Sequence, residues 1–215
     1  LPTTVIIEHG KQRVFAYALD WPGWCRSART EEAALATLDA YAPRYATVAN
    51  QAEVKFPSEH TFEVVERRTG GGGTDFGVPS EAAEHDAERL TAAAARRQAT
   101  LVAAAWHIFD GVVAGAPASL RKGPRGGGRD RDAIVDHVLG AEVIYARKLG
   151  LRHAQPAAAD RAAIDAVRTD LLRVLGAPGG GQPLVEKGWF PRYAARRIAW
   201  HVLDHAWEIE DRSED

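Results

Sequence analysis

The chain has 215 residues, 46% of them hydrophobic, with 27 basic against 29 acidic side chains and a formal net charge of −2. That composition supplies one medium core or two small ones and excludes disordered and collagen-like classes, and the intermixed charge offers no overall basic field for nucleic-acid phosphates or an anionic membrane surface. A single cysteine, Cys25, excludes an intramolecular disulfide and a multi-cysteine zinc site and fits a reducing cytoplasm.

The opening LPTTVIIEHG has no basic region followed by a long apolar run, and no later stretch approaches about 18 uninterrupted apolar residues, so neither a secretory leader nor a membrane span is expected. Residues 4–7, 13–19 and 62–67 are β-branched or aromatic runs and predict strands. Trp21-Pro22-Gly23-Trp24 reads as a type II turn, Pro fixing φ at its second position and Gly supplying positive φ at its third, and it turns the chain into a strand over 24–28. Thr30 is placed to cap a helix running to about Asn50, whose stripe of Ala34, Leu38, Tyr41, Tyr45 and Val48 is expected to lie on the small sheet. Four consecutive glycines, Gly70–Gly73, predict a linker over 68–86 between a unit at 1–67 and another at 87–215, and the first proteolytic cut within 69–74.

Beyond that point, helical periodicity covers 88–114, 131–150, 160–176 and 190–211. The first uses Leu101, Val102, Ala105, Trp106, Phe109 and Val112 as its apolar stripe, and the third Ile164, Val167, Leu171, Val174 and Leu175. Four such helices predict an antiparallel bundle, and the fold class expected for the whole chain is α+β. The run Ala18-Leu19-Asp20-Trp21-Pro22-Gly23-Trp24, followed by Thr30-Glu31-Glu32-Ala33 in this strand–strand–turn–strand–helix order, resembles the HicB-like domain of antitoxins over residues 3–67. The resemblance implies a reduced ribonuclease-H-like core that has lost its nuclease carboxylates and serves in binding. No DNA-binding helix-turn-helix or ribbon-helix-helix pattern follows it.

His201 and His205 are four residues apart on the last helix and share a face with Phe190, Ala194, Ile198 and Ile209. Taken alone, such a pair reads more readily as hydrogen-bonded core residues than as metal ligands. His137 lies on the apolar sector of the second helix with Ile134, Val138, Ala141, Ile144 and Tyr145, which brings a third imidazole to the interior. Neutral imidazoles suit zinc first, with nickel or iron as alternatives, and a three-histidine set leaves positions open for water or substrate.

The stretches from Arg129 to Glu142 around His137 and from Arg197 to Ala206 around His201 and His205 resemble the metal-binding elements of the DinB-like superfamily over about residues 88–212. In that family one histidine of the second helix and a His-x-x-x-His pair of the fourth bind a divalent metal. The resemblance implies a metal-dependent enzyme acting on a small molecule, a transferase or isomerase that uses a low-molecular-weight thiol. Two other functions stay open: a non-catalytic protein that recognises a partner through the HicB-like unit while the metal stabilises the bundle, and a metal-assisted hydrolase.

Around the histidines, Glu208 can fix an imidazole tautomer, act as a general acid or base, or serve as a solvated helix-end carboxylate. Arg125 and Arg129 flank the glycines of the loop before the second helix, which either anchors the anionic group of a thiol cosubstrate or is a solvated basic connector. Trp200, Leu203 and Trp207 form a stripe opposite the histidines that needs cover, either from the N-terminal unit or from a second copy of the chain in a homodimer.

Overall fold

A computed structural model of the protein describes residues 2–123 and 127–213. The fold is mixed α+β, with a four-stranded sheet and seven α-helices among the described residues. Strands β1 (Thr3–His9), β2 (Val14–Ala18), β3 (Cys25–Ala28) and β4 (Phe62–Thr69) stand in the order β3-β2-β1-β4; β1 pairs antiparallel with β2 and parallel with β4. The predicted turn forms, with Gly23 at φ 96° and the Trp24 amide donating to the Trp21 carbonyl at 2.9 Å. Gly23 is needed twice over, because a Cβ there would lie 2.6 Å from Leu203 as well as straining the backbone.

Thr30 caps α1 (Glu31–Ala40), its side chain accepting from the Ala33 amide. The helix expected to continue to Asn50 instead stops at Tyr41, and a second helix, α2 (Ala42–Gln51), begins with Pro43 in its first turn. Proline has no N–H to donate back into a preceding turn, so it suits a helix start and not an interior. The break redirects the predicted stripe: α1 lies on β2 and β3, whereas α2 turns toward the longer helices that follow. Trp24 is fully buried there, stacked on Tyr45 with centroids 5.7 Å apart and donating its indole N–H to the Leu38 carbonyl at 2.8 Å.

The linker expected over 68–86 is built structure. After β4 the glycines lead into α3 (Gly72–Phe76), and a 3₁₀ turn spans Glu84–Ala87. The fully buried Glu8 carboxylate organises this segment, accepting from the Thr74 hydroxyl at 2.6 Å and from the Ser80 and Glu81 amides at 3.0 and 3.1 Å. A Cβ at Gly70 would lie 2.2 Å from Thr74, so glycine permits the close approach that the buried hydroxyl requires. With these bonds in place, the stretch is expected to resist limited proteolysis in the native chain, whereas its glycines alone predict a first cut within 69–74. Glu8→Ala removes the acceptor for three donors, a loss on the order of 1–3 kcal/mol for groups left buried and unpaired. It should move the first cut into this segment, as mass analysis of the fragments would show; an unchanged cleavage map would mean Glu8 does not hold it.

Four long helices complete the chain: α4 (Ala92–Gly115), α5 (Arg131–Lys148), α6 (Arg161–Leu175) and α7 (Pro191–Ser213). The last of them packs against each of the other three. Its outer stripe is covered within the chain: Trp200 meets Phe15 edge-on at 6.2 Å, Leu203 meets the Gly23 turn, and Trp207 meets Tyr41 at 5.1 Å. The sheet is consequently buried on both faces, by α1 against Val5, Ala16 and Ala18, and by Trp200 against Ile6, Phe15 and Tyr17. This arrangement fixes α7 from outside and leaves its inner face to the histidines. Among the described residues no helix is long and apolar enough to cross a membrane.

Candidate metal centre

His137 on α5 and His201 and His205 on α7 come together, with one ligand-capable nitrogen from each lying within 4.8 Å of the others. The ring centroids are 5.0 Å apart for His137–His201 and for His137–His205, and 4.7 Å for His201–His205. The Nε2 atoms of His137 and His201 are 3.2 Å apart. Two nitrogens about 2.05 Å from a tetrahedral zinc ion would be separated by roughly 3.3 Å, so this pair already has the spacing of two ligands of one cation.

His201 is buried, and burial pushes its imidazole well below its ordinary pKa, with the charges of His205, Arg197, His137 and Arg129 acting in the same direction. Burial likewise lowers His137, aided by His205 and Arg129 and opposed by Glu208 and Asp136. Both rings are held in the neutral form, the one that offers a lone pair to a metal.

His205 is oriented through its other nitrogen. Nδ1 lies 2.8 Å from Glu208 Oε2, and Glu208 Oε1 accepts from Arg212 at 2.6 Å. The bond to His205 holds the Glu208 carboxyl below the usual carboxylate range, and Arg212 adds to the effect. An ionised carboxylate on Nδ1 fixes the tautomer that leaves Nε2 free for a ligand role.

The basic loop is tied to the same relay. The Arg121 amide donates to the Arg212 carbonyl at 3.0 Å and Arg212 Nε donates to the Arg121 carbonyl at 2.8 Å. Gly128, at φ 117°, lets the backbone pass where a Cβ would come within 2.7 Å of the Arg212 guanidinium. Arg129 is exposed and is near enough to act electrostatically on His137 and His201. Arg125 lies outside the described residues. Asp136 and Asp204, which helical rotation turns away from the histidines, engage Gln155 and Arg26.

Two further side chains stand beside His201. The Tyr145 ring meets His201 edge-on at 5.7 Å, and Arg197 lies over Tyr145 and Trp200, with its guanidinium carbon 5.4 and 4.6 Å from their ring centroids. Arg197 had a legible signal, since it precedes His201 by four residues and shares its helix face. No family model, curated protein or solved structure matches the chain.

Proposed function

We propose that the chain is a metal-dependent enzyme with a DinB-like four-helix bundle, preceded by a HicB-like sheet-plus-helix unit, that transfers or isomerises a small molecule with a low-molecular-weight thiol. The observation that carries the reading is the convergence of three histidine nitrogens within 4.8 Å of one another, two of the rings held neutral by their surroundings. Three imidazoles suit zinc, with nickel or iron as alternatives, and leave coordination positions for an exogenous ligand. A divalent cation in this set would supply Lewis acidity, lowering the pKa of a coordinated thiol or water.

The chain's own groups have separable tasks. His137, His201 and His205 hold the cation. Glu208 is a positioning residue: its two oxygens are committed to His205 and Arg212, which favours tautomer control over proton transfer to substrate. Arg129 stands exposed and near enough to act electrostatically on His137 and His201, where it can meet an anionic group of a thiol cosubstrate. In this reading the N-terminal unit braces α7 from behind and fixes the spacing of its two histidines.

Cobalt substitution tests the reading, because its ligand-field spectrum reports thiol coordination directly. Saturating 2-mercaptoethanol should shift the visible bands and add sulfur-to-metal absorption. An unchanged spectrum in a chain that has taken up cobalt would remove the thiol and leave the hydrolase or the metal-stabilised binding protein.

A further inference from the structure

Three arginines are buried among the described residues, and two of them have carboxylate partners. Arg168 pairs with Glu142 and Asp110, and Arg196 with Asp86. Arg197 is only 9% exposed, yet its Nη1 is buried without a hydrogen-bond partner, and no carboxylate of the described residues lies within salt-bridge distance of it. An unpaired buried guanidinium is costly, and cation–π contact with Tyr145 and Trp200 offsets only part of that cost while leaving the N–H unsatisfied. On the sheet side, a cavity of about 20 Å³ bordered by Arg197 and Glu81 holds roughly one water, which would meet a hydrogen bond while the two side chains stay beyond ion-pair distance. Among the described residues no carboxylate supplies the counter-charge, which leaves Arg197 able to take one from a bound ligand.

The place of Arg197 says what that is. It stands one helical turn before His201, and the Tyr145 ring contacts both. We propose that Arg197 is the carboxylate-binding residue of the metal centre, and that the ligand of this site is a small organic acid whose carboxylate pairs with Arg197 while a second donor reaches the ion. The planar guanidinium grips the carboxylate through two parallel N–H bonds, and the aromatic walls exclude the water that would otherwise weaken them. Neutral analogues are rejected because they leave the buried charge unpaired.

The inference rests on the metal reading, and its test reads carboxylate and metal separately. Propionate is titrated into the full chain as purified, at fixed ionic strength, while indole emission is followed. A saturable response in the wild type, abolished by Arg197→Gln and weakened about tenfold or more by Arg197→Lys, is expected. No response, or equal responses in wild type and Arg197→Gln, overturns the proposal. On the cobalt-loaded chain, 3-mercaptopropionate should bind roughly 10- to 100-fold more tightly than 2-mercaptoethanol, and Arg197→Gln should bring the ratio near one while cobalt content and 2-mercaptoethanol affinity persist. A wild-type ratio near one overturns the coupling of Arg197 to the ion. A chain that binds propionate through Arg197 but takes up no cobalt supports the carboxylate site and removes the metal reading, so the two failures are distinct. Melting curves establish that both variants fold; Arg197→Gln deletes an unpaired charge and should not lower the midpoint.

Discussion

Asp86→Ala is expected to destabilise the chain by about 3–5 kcal/mol, because it leaves the buried Arg196 guanidinium without its counter-charge. Asp86 is fully buried and both of its oxygens accept from Arg196, Oδ2 at 2.7 Å, while Oδ2 also takes the Ala83 amide at 2.7 Å. The pair joins the 3₁₀ turn at Glu84–Ala87 to α7, one residue before Arg197 and five before His201. For a chain of this size the melting midpoint should fall by roughly 6–20 °C. Adding Arg196→Leu should recover much of the loss, since removing both charges relieves the desolvation cost that removing one exposes. A single variant that melts within a degree or two of wild type would show that the pair is solvated in solution.

The second large effect is on metal affinity. Structural zinc sites with four ligands bind with about 10–16 kcal/mol, so deleting one of three histidines should remove on the order of 3 kcal/mol, a loss of at least roughly 100-fold. His201→Ala should be the most damaging, because His201 is the most buried of the three. Glu208→Gln should be milder, about 10- to 100-fold, because it weakens the orientation of His205 and not its donor atom. Competition with a chromophoric chelator would rank the variants. Equal affinity for His201→Ala and wild type would place the metal elsewhere.

The parts of this fold that repeat with a fixed period were legible in the sequence. The four helical stripes, the strand runs and the Trp21–Trp24 turn announce themselves because burial selects apolar residues at the period of the element. The three histidines were legible for the same reason, each being a polar residue on an otherwise apolar face. Long-range, aperiodic events were not. Nothing near Glu8 in the sequence says that its carboxylate will order a glycine-rich segment more than 60 residues away, a pairing that depends on β1 and β4 lying side by side. Pro43 was visible as a helix breaker, but the stripe running through it matched a single helix closely enough to hide the break. Arg197 sat on the histidine face in plain view, and only its buried Nη1 without a hydrogen-bond partner gives it meaning. The docking of the sheet on Trp200 and Trp207 was legible as a need for cover, and which element would meet it was not.

A metal centre of this kind requires the three histidines to share one ion. The decisive measurement is the stoichiometry and spectrum of cobalt bound by the full chain after dialysis. One cobalt per chain is expected, with the intense visible bands of a low-coordinate site, together with their loss in a His137→Ala, His201→Ala, His205→Ala triple variant that melts like wild type. A wild-type chain that retains no cobalt, or one whose bound cobalt is unaffected by the triple substitution, would contradict it.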